Sequence, residues 1–418
     1  MAINEILSKN GNHGKKVFIY NMACQRRSID AKTISQYFRE NNYEIVDDPK
    51  DANYIIFFTC AFINEIADRC INTITKLQKY DAELIVAGCL PDIDQEKLKK
   101  VFDGKIIPTK NLNVVDEIFT DSDTKLSKIY EQNRIWRNFN PFGVSVQPAK
   151  IFKRIIQKSK LIGRVYNYIK ENILRKYFSE NLIFSQLVIA HETSYIIMIG
   201  RGCIHNCSYC AIKRAVGPLK SKSIDQCVRE FKEGLNQGYT EFVLTSDDVG
   251  VYGLDIKTNF SELLDALTNI EGNYSIIMAN THPRWVIKYI DNLERIFARE
   301  KIKSILISVQ SGSPRILKLM KRNVQIDALV DAVARLKKAC PELEIVSHFI
   351  VGFPGETEGD FQETLDIVKK IQFDRALVFK YSDVNDTEAS KIEPKVPKSV
   401  INRRRRKVLK LIKQIQSK

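Results

Sequence analysis

Arg201-Gly202-Cys203-Ile204-His205-Asn206-Cys207-Ser208-Tyr209-Cys210 is the stretch on which the reading of this chain turns. Its cysteines are spaced C-x3-C-x2-C, and three thiolates this close can wrap one small inorganic cluster on a loop. Structural zinc wants four protein ligands, and only His205 offers itself nearby as a fourth. Three cysteines on a [4Fe–4S] cluster leave one iron open, as a bound cofactor or substrate requires. The stretch directly follows a β-rich run at 195–199. Further strands are expected at 241–245, 275–279, 304–309, 344–349 and 375–381, with helical patterns between them. Six such units predict a partial (βα)6 barrel whose working face lies at the strand C-termini.

Upstream, apolar runs at 17–21, 54–59 and 84–88 alternate with helical patterns at 31–41 and 67–79. Continuous apolar strands separated by helices imply an open parallel sheet covered on both faces. Cys24, Cys60 and Cys89 each lie just past one of these strands. In an open α/β sheet that edge binds ligands, so three thiols distant in sequence should meet on one rim. The fold class expected is therefore α/β, an open parallel-sheet domain followed by a partial barrel.

The 418 residues carry a net charge of +15, with 44% hydrophobic and 28% charged side chains. That excludes a mainly disordered chain. By segment the balance is −1 over 1–120, +8 over 121–190, −2 over 191–393 and +10 over 394–418. These boundaries are the expected domains: the first sheet, a basic linker or insertion, the barrel, and a basic C-terminal helix containing Arg403, Arg404, Arg405 and Arg406. Within the insertion, 151–178 reads as a basic amphipathic helix broken near Gly163. Such patches suit nucleic acid, anionic lipid or an acidic peptide. No apolar leader occupies residues 1–16 and no run approaches the ~20 apolar residues of a spanning helix. A cytoplasmic protein with reduced thiols is expected.

The C-x3-C-x2-C motif with Tyr209 before its last cysteine resembles the radical S-adenosylmethionine superfamily. Within it, Tyr20-Asn21-Met22-Ala23-Cys24, Phe58-Thr59-Cys60-Ala61-Phe62-Ile63 and Val86-Ala87-Gly88-Cys89-Leu90 resemble the three cysteine blocks of the methylthiotransferases. So do Ser308-Val309-Gln310-Ser311-Gly312-Ser313, Met320-Lys321-Arg322 and Ile350-Val351-Gly352-Phe353-Pro354-Gly355-Glu356-Thr357. The resemblance covers 16–120 and 190–395.

It implies two [4Fe–4S] clusters, one on Cys203, Cys207 and Cys210 and an auxiliary one on Cys24, Cys60 and Cys89. It also implies two uses of S-adenosylmethionine. One molecule yields a 5′-deoxyadenosyl radical; the other methylates sulfur at the auxiliary cluster. A substrate C–H bond becomes C–S–CH3. A low-potential electron donor is then required. Ser246, Gln310, Gly352 and Gly355 are the expected contacts to S-adenosylmethionine. Asn280 and His282 read as turn or helix-cap residues. The substrate expected first is a tRNA adenosine, gripped by the basic segments. A peptide or ribosomal-protein side chain is second. Sulfur insertion without methyl transfer and a non-catalytic iron–sulfur binding protein are the remaining readings. The small TRAM β-barrel of tRNA- and ribosome-directed members is expected to be missing after the basic helix.

Overall fold

The computed structural model describes residues 14–134 and 194–417. The first body holds β1 (Lys16–Asn21), β2 (Glu44–Val46), β3 (Tyr54–Thr59), β4 (Glu83–Gly88) and β5 (Ile106–Pro108). All pair in parallel, in the order β2-β1-β3-β4-β5. The run Tyr-Ile-Ile-Phe-Phe-Thr of β3 shows why. Ile55 and Phe57 pack with Ile66, Cys70 and Ile74 of the helix Asn64–Leu77. Ile56 and Phe58 pack with Ile34, Tyr37 and Phe38 of the helix Gln25–Glu40. Alternate side chains feed opposite faces, so a strand covered on both sides must be apolar throughout. The direction of strand progression reverses between β1 and β3, which places the ligand crevice of such a sheet at their C-terminal ends.

In the second body, β6 (Tyr195–Met198) leads to β7 (Gly200–Arg201), which pairs antiparallel with β8 (Lys220–Ser221). This two-residue ribbon closes the cysteine loop at its base. β9 (Glu241–Thr245), β10 (Ser275–Thr281), β11 (Ile302–Gln310), β12 (Glu344–Val351) and β13 (Arg375–Lys380) follow, each beside its predecessor in a parallel sheet begun by β6. One face of this sheet, with Ile197, Leu244, Ile276 and Ile305, packs on the surrounding helices. On the other, Ile196, Met198, Val243 and Ile277 close around Ile29 from the helix Gln25–Glu40. The helix that begins beside Cys24 is thus lodged against the face of the barrel sheet that its own helices leave open.

Charge also crosses between the bodies. Asp30, fully buried, pairs with Arg27 at 2.9 Å and with Arg201 at 2.6 Å. Arg201 pairs in turn with Glu131, and Glu131 with Lys222. Residues 121–134 lie along the first body, where Leu126 joins its core. The Asn133 carbonyl accepts the Ile196 N–H at 2.9 Å, and its side-chain amide donates to the Tyr195 hydroxyl. The stretch read as a basic amphipathic helix, 151–178, lies outside the described residues.

The helix Lys398–Gln416 sets Ile401, Val408 and Ile412 into the barrel core. Its arginines are not equivalent. Arg404 is buried, donating to the Glu356 carboxylate at 2.7 Å and pairing with Glu358 at 3.1 Å. Arg405 donates to the Val378 carbonyl. Arg403 and Arg406 are exposed, with Lys407, Lys410 and Lys413. Four arginines read as one phosphate grip are therefore split between packing and surface. Arg404→Ala should lower stability by about 3–5 kcal/mol, because Glu356 is left as an uncompensated buried charge. Arg406→Gln should change it by less than about 0.5 kcal/mol. Thermal unfolding of the two variants beside the parent checks the contrast. Among the described residues no helix is long and apolar enough to cross a membrane.

Candidate active site

The C-terminal ends of strands from both sheets face one cavity, lined by Cys24, Cys60, Cys89, Cys203, Cys207 and Cys210. Each N-terminal thiol is placed by a strand that has just ended. Cys24 is the residue before the helix Gln25–Glu40, and Cys89 is hydrogen-bonded through its N–H to the Thr59 carbonyl beside Cys60. All six are free thiols. Among the described residues, no three His, Cys, Asp or Glu side chains close on a single ion. A cluster with iron at several corners needs thiolates spread apart, each facing its own iron.

The barrel loop is held from several sides. Gly202 has φ +83, and a Cβ there would lie 2.1 Å from the Pro218 carbonyl oxygen. Its N–H donates to Asp247 Oδ2 at 2.8 Å. Ser208 donates its N–H to the Met320 carbonyl and its hydroxyl to the Leu319 carbonyl. Arg322 reaches Cys207 Sγ at 3.5 Å and the Tyr209 hydroxyl at 3.4 Å. A side chain at position 202 would have to displace backbone, at about 1–3 kcal/mol for the strained φ alone. Gly202→Val should therefore lower iron incorporated by the barrel loop by more than half, read as iron per chain after reconstitution.

Burial sets the resting state of three of these sulfurs, Cys60, Cys89 and Cys203. It pushes the Cys89 thiol up to about 11, against the pull of Arg27. It raises Cys203 to about 12. Cys60 lies well above the ordinary range, through burial and then the nearby Cys24 and Cys89. Cys60, Cys89 and Cys203 thus carry their protons at neutral pH and release them on taking up a metal group. Arg26 and Arg322 supply positive charge beside the two triads. A donor set of soft sulfur with adjacent cations fits an anionic iron–sulfur cluster.

Other side chains complete the wall. Asp248 Oδ2 lies 2.6 Å from His205 Nε2, and the His205 ring stacks on His282 at 4.5 Å. His282 caps the helix Pro283–Lys288, its Nδ1 accepting the Arg284 N–H. His348 lies 3.3 Å from the Ser308 hydroxyl. Burial, with Arg322 and Arg26 nearby, lowers its pKa to about 4, so the imidazole is neutral at pH 7.

A family model described as the radical SAM superfamily matches residues 197–368, and one described as uncharacterized protein family UPF0004 matches 16–107. The chain is 30% identical over 401 residues to a probable threonylcarbamoyladenosine tRNA methylthiotransferase of Pyrococcus horikoshii, covering 96% of this chain and 84% of the relative. The chain belongs to the radical S-adenosylmethionine methylthiotransferases. It is also 29% identical over 411 residues to the ribosomal protein uS12 methylthiotransferase RimO of Acetivibrio thermocellus, covering 96% and 82%. In fold it is similar to the solved radical S-adenosylmethionine methyltransferase TsrM of Kitasatospora setae. That match has a TM-score of 0.56 at 12% identity over 88% of this chain and 75% of that one. As a member of the family this methylthiotransferase is an enzyme that uses S-adenosylmethionine and two [4Fe–4S] clusters.

The four residues expected to touch S-adenosylmethionine divide in the structure. Gln310 lines the cavity at the end of β11, with φ +73. Its buried Oε1 has no hydrogen-bond partner among the described residues, which leaves an acceptor for a bound molecule. Ser246 is not among the lining residues, and its hydroxyl donates to the Asp248 carbonyl. Its neighbours Asp247 and Asp248 face the cavity instead. Gly352 and Gly355 lie off the lining. A Cβ on Gly352, at φ +78, would lie 2.3 Å from Ile401, so its smallness admits the helix Lys398–Gln416. Gly355, at φ +76, has open space where a Cβ would stand.

Sequence reasoning passed over Arg26 altogether. The signal was present in Cys-Gln-Arg-Arg: two cations and no acid in the first turn oppose the helix dipole, so they need partners elsewhere.

Proposed function

We propose that Cys203, Cys207 and Cys210 hold one [4Fe–4S] cluster and Cys24, Cys60 and Cys89 the other. On this reading, the enzyme replaces a C–H bond of a tRNA adenosine by C–S–CH3. The observation that carries it is the opening of both cysteine triads into a single cavity. Radical formation and sulfur delivery must act on one substrate carbon, and a shared cavity lets that carbon reach both. When bound, the clusters supply the electron and the sulfur attachment point for S-adenosylmethionine chemistry. The chain's own residues orient and seclude: Gln310 offers its carbonyl to a ribose or substrate donor, while His205, His282 and His348 wall the cavity on the barrel side. We propose the division 1–120, 121–190 and 191–393, with 121–134 packed on the first body and 394–417 on the barrel.

tRNA is favoured by the exposed face of the helix Lys398–Gln416, where Arg403, Arg406, Lys407, Lys410 and Lys413 stand together, and by the +8 of 121–190. A ribosomal-protein side chain is the second reading, on the match to relatives named uS12 methylthiotransferase over nearly the whole chain.

The dependence of tRNA binding on salt separates them. An RNA complex should weaken by ~0.7 log unit per log unit of salt for each phosphate neutralised. Substituting Arg403, Arg406, Lys407, Lys410 and Lys413 by Gln, with Arg404 kept, should flatten that slope in proportion to the phosphates no longer gripped. Binding without a salt slope, or a slope indifferent to this variant and to neutralising the basic groups between 153 and 176, favours the protein substrate.

A further inference from the structure

Two residues beyond Cys24, the Arg26 side chain leaves its own body and enters the other. Its Nε pairs with Asp247 Oδ1 at 3.1 Å, and its Nη1 donates to the Ser246 carbonyl at 3.2 Å. The opposite oxygen of the same carboxylate, Asp247 Oδ2, accepts the N–H of Gly202, the residue before Cys203. The path from one cysteine loop to the other is therefore Cys24, Arg26, Asp247, Gly202, Cys203. Arg26 and Asp247 line the shared cavity, and both side chains are largely buried, at 14% and 4% exposure. A largely buried guanidinium that is ion-paired to one carboxylate and donates a hydrogen bond to the preceding carbonyl is held to both.

We infer that Arg26 is a positioning residue that sets the separation and angle of the two cysteine loops through Asp247. This rests on the reading above, in which each loop holds a cluster. Sulfur can reach a substrate radical only where the two sites are held in register, and a misplacement of about 1 Å can cost on the order of a hundredfold in rate. Arg27, by contrast, turns to Asp30, which also pairs with Arg201, and so joins the structural ion-pair chain. Adjacent arginines thus serve different ends.

The test has two arms. In cluster-free protein, hydrogen exchange at the Gly202 amide should quicken about tenfold in Arg26→Gln and in Asp247→Asn, because each removes support from one acceptor. This arm does not depend on iron. In reconstituted protein, Arg26→Gln should keep the parent's iron content while methylthio product per 5′-deoxyadenosine falls at least tenfold. The electron paramagnetic resonance spectrum of the reduced N-terminal cluster should shift as its neighbouring cation goes. Arg26→Lys should recover part of the product ratio, since an ammonium reaches Asp247 without the fork that also meets Ser246.

Unchanged exchange at Gly202 would overturn the link. An unchanged product ratio in Arg26→Gln would overturn its role in positioning, as would loss of one cluster's iron, which would make Arg26 a determinant of cluster binding. If the parent itself incorporates iron for one cluster, the two-cluster reading fails, and the exchange arm still decides whether Arg26 joins the loops.

Discussion

Alanine in place of Cys203, Cys207 and Cys210 together should abolish reductive cleavage of S-adenosylmethionine. The expected loss is to background, the largest effect any substitution in this chain should produce. Those thiols sit on a loop whose base is clamped by β7 and β8 and whose flank is fixed by Ser208 on Met320 and Leu319. Removing three sulfurs leaves these anchors in place, so the loop should keep its path while losing its metal ligands. Iron should fall from about eight to about four per chain, the content of one [4Fe–4S] cluster. The measurement is 5′-deoxyadenosine formed under anaerobic reduction. Formation at the parent rate in the triple variant would refute the assignment of the cleaving site to this loop.

Alanine at Cys24, Cys60 and Cys89 should give the complementary result. The first sheet's strand ends carry these thiols, and its two packed faces, around Phe57 and Phe58, do not include the Cys24 side chain. Cys60 and Cys89 are buried, so trimming them carries a stability cost of about 1–2 kcal/mol each, from lost burial and a small cavity. Iron should again halve to about four per chain, yet 5′-deoxyadenosine should still form. Methylthio product should vanish. Iron at the parent level in this variant would mean that these cysteines hold no cluster. Product at the parent level would mean that sulfur arrives by another route.

Much of this architecture could be read from residue order. Long apolar runs such as 54–59 and 241–245 announce parallel strands because both faces of each are covered, leaving no polar alternation. The cysteines at their ends were legible for the same reason. β2 and β5 were not, since three residues at a sheet edge carry too little periodicity to register. The lodging of Ile29 against the barrel sheet was equally invisible, because it joins residues far apart in the chain. Near the cavity, local signals misled by small offsets. A strand end shows which loop faces the ligand edge, while the turn decides which side chain looks inward. Asp248 accepting the Gly250 N–H turns Ser246 away and leaves Asp247 facing in. Gly352 was legible as a place of close approach; what approaches is Ile401.

The contact between Asn133 and Ile196 has a practical meaning for dissecting this enzyme. Their backbones are hydrogen-bonded, so the described chain departs after 134 and resumes at 194 at nearly one point. Excising the intervening residues and sealing the gap with a short turn should leave both cysteine loops undisturbed, as insertions with adjoining ends generally allow. Comparing the shortened chain with the parent would then show what the excised residues contribute, with the catalytic body kept whole.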